Sequence, residues 1–166
     1  MRKLFCLILS IACVCAMLSP TFCQESTKTY VNDEIGFTIE HPASWKNTKV
    51  KGGNIVVLFT GGAINRNVQV MYDKGGEEAG KAALGRLAKI LPNQKVKSAE
   101  WKEVNGRRSF LQVVGWQSII GDNRAIRLMV PVEDHYFLVM GVCPAEEFAT
   151  LSPLLEKCVL SFNITN

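Results

Sequence analysis

The sequence has 166 residues, of which 48% are hydrophobic and 20% are charged, and its formal net charge is +4. Residues 1–23 carry two of the positive charges, and like charges never form a long run. This mild balance is unlike that of nucleic-acid-binding proteins, so we expect no nucleic acid partner. The length suits one domain with a hydrophobic core.

The first residues have the features of a secretory signal peptide. Arg2 and Lys3 form a short basic segment, and residues 4–18 are almost entirely apolar. This apolar run is too short for a stable membrane span. We therefore expect cleavage after residues 21–23 and an exported protein, whether periplasmic, envelope-associated or extracellular. An uncleaved membrane anchor is the alternative.

A lipid anchor is a further alternative for this leader. Lipoprotein signals place a small residue just before the acylated cysteine. Cys23 follows Pro-Thr-Phe, which matches poorly, whereas Cys13 follows Ser-Ile-Ala but leaves a very short apolar segment before it. With simple cleavage, the expected organisation is a signal peptide over 1–23, a short linker over 24–29 and a single domain over 30–163.

Cleavage would leave two of the six cysteines, Cys143 and Cys158, in the mature chain. An even pair in an exported protein makes a disulfide between them one alternative. The other is a pair of inert buried thiols, because cysteine is among the most buried residue types.

The first half of the chain reads as strands followed by a helix. Residues 30–31 and 36–40 predict a hairpin that ends at a proline. Residues 54–59 and 67–72 predict a second pair of strands. Apolar residues at helical spacing predict a helix over 77–91, with two acidic residues in its first turn.

The second half predicts a run of strands and a closing helix. The strands are expected over 95–103, 107–119, 124–132 and 136–142. Residues 121–123 and 133–135 are expected to supply the turns of the last three. The closing helical region follows Cys143-Pro144, and Ser152-Pro153 is expected to interrupt and restart it. The sum is an α+β domain with an antiparallel sheet of about seven or eight strands and two main helices.

Several short motifs resemble the PsbP-like family. They are Tyr-Val-Asn-Asp at 30–33, Gly-Phe-Thr-Ile at 36–39, His-Pro-Ala-Ser-Trp at 41–45 and Leu-Ser-Phe at 160–162. The resemblance implies a Mog/PsbP-type α/β/α sandwich, a fold shared with a Ran-binding nuclear transport factor family. The family includes extrinsic photosystem II subunits and bacterial envelope proteins, some of them lipoproteins. It supplies no catalytic residues to carry over, and residues 24–29 lack the basic segment that photosystem subunits use for docking.

The residues suited to catalysis or metal binding do not form a recognisable pattern. His41 follows Glu40 and His135 follows Asp134, but adjacent strand residues point to opposite faces and do not chelate together. Ser118, like the chain's other candidate serine, lacks the G-x-S-x-G elbow of a hydrolase. We therefore expect no catalytic site, no cofactor and no metal.

Four arginines on neighbouring predicted strands could form a docking patch for an acidic partner: Arg107, Arg108, Arg124 and Arg127. Ordinary solvated charges are the alternative. The sequence thus favours an exported, non-enzymatic accessory protein that works in protein–protein interaction or assembly. The alternative is a small-ligand or lipid-binding envelope protein or lipoprotein with a pocket between sheet and helix. A hydrolase or metal enzyme is the third hypothesis, and the sequence leaves the oligomeric state open.

Overall fold

The computed structural model describes residues 25–63 and 65–165. Its strands are β1 (Thr27–Asn32), β2 (Phe37–Pro42), β3 (Lys46–Asn47), β4 (Ile55–Thr60), β5 (Asn67–Lys74), β6 (Lys95–Val104), β7 (Arg107–Ser118), β8 (Gly121–Pro131), β9 (His135–Pro144) and β10 (Asn163–Ile164). The helices are α1 (Gly76–Ile90) and α2 (Phe148–Leu160), and a 3-10 turn over Ala145–Glu147 precedes α2. The predictions of a signal peptide, its cleavage and a lipid anchor lie outside the described residues.

The strands of the described part form two antiparallel sheets. The large sheet has seven strands in the order β3-β4-β5-β9-β8-β7-β6. The small sheet has the order β1-β2-β10. The predicted α+β fold with a central antiparallel sheet and two main helices is confirmed. The sequence did not separate the N-terminal hairpin into a sheet of its own.

The central strand β9 shows why the large sheet is covered on both faces. Its residues from Tyr136 to Cys143 are all buried, as its apolar sequence predicted. Phe137 and Val139 point into one core cluster, with α2 and the small sheet. Leu138 and Met140 point into the other, with α1. The large sheet is therefore the middle layer of a sandwich.

Helix α1 packs against the sheet with glycine at the point where it crosses β8 and β9. A Cβ atom at Gly80 would lie 2.9 Å from Sδ of Met129 and 3.3 Å from the ring of Tyr136. The helix ends at Ile90, since Leu91 is extended (φ −94°, ψ 111°) and Pro92 follows. Beyond this end, the same face of the sheet is open.

Two predicted boundaries were wrong. The linker was expected over 24–29, but β1 already begins at Thr27, which pairs with Pro42. The turn between β7 and β8 was expected at 121–123, but Ser118 pairs with Gly121, so Ile119 and Ile120 form the turn. Gly121 has φ 117° and takes the left-handed conformation that the tight reversal needs.

Helix α2 was expected to restart at Ser152-Pro153 but runs through Pro153 without a break. The proline removes the hydrogen bond to the carbonyl four residues earlier. Leu155, Cys158 and Val159 are buried on the sheet side of the helix. Burial of this apolar face stabilises the continuous helix despite the missing bond.

Candidate ligand-binding cavity between the sheet and helix α1

A cavity of about 400 Å³ lies on the α1 face of the large sheet, where the helix ends. Its apolar lining comes from the end of α1, from the strands and from the β7–β8 turn: Leu87, Leu91, Trp116, Ile120, Met140 and Val142. Polar side chains line the rest: Asn65, Asn67, Gln69, Ser118, Asn123 and Arg127. Its volume is within the range of small-molecule sites, roughly 300–1,000 Å³.

Arg127 is the charged residue of this lining, and it is almost completely buried. It lies on β8 between Ala125 and Met129 on the same face, and only 1% of it is exposed. Its Nη1 donates a hydrogen bond of 3.0 Å to Oε1 of Gln94, and its Cζ lies 5.7 Å from the ring centroid of Trp116. Its Nε is buried and makes no hydrogen bond.

Among the described residues, the guanidinium of Arg127 has no ionic partner. None of the ion pairs within residues 25–63 and 65–165 includes it. Burial lowers the pKa of Arg127 to about 10, so the group is still charged at neutral pH. A buried charge without an ionic partner is costly to the folded state. The cavity therefore contains a positive charge that an anion would stabilise.

The loop after α1 positions the glutamine that contacts Arg127. Asn93 has φ 52°, and its Nδ2 donates to Oε1 of Gln117 over 2.6 Å. The backbone N–H of Gln117 in turn donates to the carbonyl of Pro92 over 3.1 Å. These two bonds hold the loop against the end of β7, and Gln94 follows directly.

A second set of hydrogen bonds fixes the opposite rim of the cavity. Asn123 is buried, and its Nδ2 donates to Oγ of Ser118 (2.9 Å) and to the carbonyl of Gly121 (3.0 Å). Its Oδ1 accepts a bond of 3.2 Å from Nδ2 of Asn65. The β7–β8 turn and the β4–β5 loop are thereby tied together beside the cavity.

A second cavity, of about 420 Å³, adjoins the first, because Trp116 and Asn123 line both. Its lining is more polar and includes Lys95, Lys97 and Arg124. The same lining contains the carboxylate of Asp122, so the second cavity has three cationic side chains and one acidic side chain, a net positive charge that favours the approach of anions.

The predicted arginine patch is corrected by the structure, because its members lie on different faces of the sheet. Arg127 is buried on the α1 face. Arg108 is exposed on that face, and its Nη1 lies 3.3 Å from Oε2 of Glu77.

Arg124 points to the other face, with its Cζ 5.3 Å from the ring centroid of Phe148. Alternation along β7 and β8 separates them, since side chains an odd number of residues apart point to opposite faces. Arg107, with the parity of the buried Leu111, belongs to the α2 face.

The two cysteines of the described chain are free thiols, not a bonded pair. Cys143 and Cys158 are both completely buried and belong to the core cluster beneath α2. Burial raises the pKa of Cys143 to about 11 and the pKa of Cys158 to about 12. In the structure they pack as apolar side chains.

The histidines lie apart from this cavity and make local contacts. His41 stacks on Phe59 with ring centroids 3.9 Å apart, and burial lowers its pKa. His135 pairs with Asp134 over 2.6 Å. Within the described ranges, His, Cys, Asp and Glu side chains do not gather in groups of three or more that could hold a metal.

Sequence reasoning missed both Arg127 as a buried charge and the cavity around it. The sequence did contain a signal for the buried charge. Ala125, Arg127 and Met129 share one face of a predicted strand, and the next predicted strand is apolar on both faces. The cavity gave no local signal, since it depends on where α1 ends above the sheet.

Solved structures of known proteins share this arrangement of layers. PsbP (CyanoP) from the cyanobacterium Synechocystis sp. PCC 6803 superposes with a TM-score of 0.65 at 13% identity, covering 84% of this chain and 93% of that one. The fold is PsbP-like. LpqN, involved in cell envelope biogenesis of Mycobacterium tuberculosis, matches with a TM-score of 0.58 at 11% identity. The match covers 85% of this chain and 91% of LpqN.

A third solved structure with similar layers is PA94 of Pseudomonas aeruginosa, a protein of unknown function. It matches with a TM-score of 0.50 at 15% identity and covers 81% of this chain and 94% of its own. None of these PsbP-like structures is named as an enzyme. No protein-family model and no curated protein matches the sequence. In the described residues, neither helix is long and apolar enough to cross a membrane.

Proposed function

We propose that this protein is an exported, non-enzymatic binding protein that holds a small molecule between α1 and the large sheet. The observation that carries the proposal is the cavity of about 400 Å³, whose lining combines an apolar wall with polar side chains that include a buried arginine. Ligand sites in proteins combine these two features, an apolar wall and a few fixed polar groups that set specificity.

Export and an accessory role are supported from two sides. The first residues have the pattern of a secretory signal peptide. The fold is shared with LpqN, which is involved in cell envelope biogenesis, and with a cyanobacterial PsbP. A role in the envelope, in which the protein carries or senses a molecule without converting it, fits both.

The sequence favoured protein docking over ligand binding, and the geometry reverses that preference. Docking was expected through Arg107, Arg108, Arg124 and Arg127, but these side chains do not form one surface. The cavity, in contrast, lies where the alternative hypothesis placed a pocket, between sheet and helix. A small-ligand or lipid-binding protein is therefore the function that the geometry supports best.

Binding can be tested on the exported protein, produced from the full-length chain, with an apolar fluorescent probe. We expect the wild-type protein to enhance the fluorescence of the probe in a saturable manner. Leu91→Trp should abolish the enhancement, because it fills the cavity beside Leu87. The matched control is Ile90→Trp, the same change at a neighbouring position that is 70% exposed and outside the cavity. Equal, unsaturable signals from all three proteins would refute the proposal.

A further inference from the structure

Arg127 occupies a position where an apolar side chain would satisfy packing alone. The residues before and after it on the same face of β8, Ala125 and Met129, are completely buried. Replacement of buried charges by apolar residues of similar volume is often neutral or stabilising. Burial of a cation here therefore calls for a reason other than stability.

The contacts that Arg127 makes leave its hydrogen-bonding capacity largely unused. A guanidinium has five N–H donors in a planar fork. Within the described residues, Arg127 donates a hydrogen bond to the neutral amide of Gln94. Its Nε is buried and has no hydrogen-bond partner there. Trp116 offers a ring face, which neutralises little of the charge. No acidic side chain of the described residues pairs with the group, and a carboxylate matches the fork in two-point geometry.

The lining of the cavity limits the rest of the ligand. Leu87, Leu91 and Met140 give the cavity an apolar surface, and Met140 lies directly across from Arg127 on the neighbouring strand β9. Among the described residues that line the cavity, Arg127 carries the charge, so one negative charge would balance it. A singly charged carboxylate fits this balance better than a doubly charged phosphate.

We propose that the cavity binds an amphiphilic organic acid, with the carboxylate on Arg127 and the apolar chain against Leu87, Leu91 and Met140. This proposal rests on the proposed ligand-binding function and names the chemical class of the ligand. The amide of Gln94 holds the guanidinium ready for the acid, and Asn123 keeps the opposite rim fixed.

The test compares two probes of equal chain length, decanoate with a charged carboxylate and decanol with a neutral hydroxyl, on the exported wild-type protein by calorimetry. At neutral pH we expect decanoate to bind at least about tenfold more tightly than decanol. Arg127→Gln should weaken decanoate by at least about tenfold and leave decanol unchanged. Arg127→Lys should recover part of the affinity for decanoate, because it restores the charge without the planar fork.

Arg107→Gln is the matched control, since Arg107 lies on the other face and lines neither cavity. It should change neither affinity. Arg127→Met is the second variant, should the glutamine variant not fold, and it should likewise bind decanol but not decanoate. Equal binding of the two probes by the wild-type protein, or unchanged decanoate affinity in Arg127→Gln and Arg127→Met, would overturn the inference and leave the proposed function standing. If the wild-type protein binds neither decanoate, decanol nor the apolar fluorescent probe, the proposed function fails as well.

Discussion

Nη1 of Arg127 and Oε1 of Gln94 are joined by a hydrogen bond of 3.0 Å that links the middle of β8 to the loop after α1. The two residues are far apart in the chain. They meet because α1 ends above the sheet and the loop after it leads back to β6, the edge strand of the large sheet. The bond satisfies one donor of the guanidinium but supplies no charge. It therefore orients Arg127 without neutralising it.

Gln94→Ala should destabilise the protein by about 1–3 kcal/mol, because it removes a hydrogen bond from a buried charged group. The loss should be measured by urea denaturation. Glu100→Ala, on the exposed part of β6, is the control and should change the free energy of unfolding by less than about 0.5 kcal/mol. Equal stabilities of the two variants would mean that Gln94 does not support Arg127.

Arg127→Met should leave the free energy of unfolding unchanged or raise it by up to about 4 kcal/mol. The methionine keeps an unbranched apolar side chain of similar volume, although a shorter one, and removes a charge that has no ionic partner among the described residues. The measurement is again urea denaturation, without ligand. A loss of more than about 2 kcal/mol would show that the arginine stabilises the fold itself, since buried charges that form satisfied networks are costly to remove.

The sheet could be predicted from the sequence because its signals are local. Apolar alternation and the apolar strand β9 identify the strands, and tight turns between them dictate antiparallel pairing. The turn at Ile119-Ile120 escaped prediction because Gly121, Asp122 and Asn123 are typical turn residues. Here Asn123 instead lies in β8, where its buried side chain bonds to Ser118.

The candidate site could be predicted only in part. That Arg127 and Arg124 lie on opposite faces follows from their spacing of three along one strand. That Arg127 is buried without an acid beside it does not follow, because it depends on which residues of the α1–β6 loop lie over it. The extent of the cavity likewise depends on the distance between helix and sheet.

Gly80→Ala and Gly85→Ala should change stability in opposite directions, although both lie in α1. A Cβ at position 80 would lie 2.9 Å from Sδ of Met129, whereas a Cβ at position 85 meets nothing within 4 Å. Alanine is favoured over glycine in helices by about 1 kcal/mol, so Gly85→Ala should stabilise the protein by about that amount. Gly80→Ala should destabilise it by about 1–3 kcal/mol, because helix and sheet must separate. The measurement is the shift in Tm of each variant, and a stabilising Gly80→Ala would contradict close packing between α1 and Met129.

The thiols of Cys143 and Cys158 should react very slowly in the native, leader-free protein. With the pKa of Cys143 raised to about 11, the thiolate fraction near pH 8 is about one in a thousand. A colorimetric thiol reagent should therefore detect no rapid reaction in the native state and two thiols per chain after denaturation without reductant. Two thiols that appear only after reduction would instead establish the disulfide between them.

The stability of the protein should fall in acid partly through Glu40, which connects the small sheet to α2. Its Oε2 accepts hydrogen bonds from Thr27 and from Lys157, the latter over 3.0 Å, and these contacts lower its pKa from 4.5. Because the folded-state pKa is the lower one, the stabilisation is complete above pH 4.5 and is lost as the pH falls through the folded-state value. Glu40→Gln should therefore be less stable than the wild-type protein at neutral pH. The difference should shrink in acid, as followed by urea denaturation at several pH values.

Glu103→Gln, at an exposed position of β6, is the control and should keep the wild-type dependence of stability on pH. A constant difference between Glu40→Gln and the wild-type protein across this range would mean that the contacts of Glu40 do not depend on its charge.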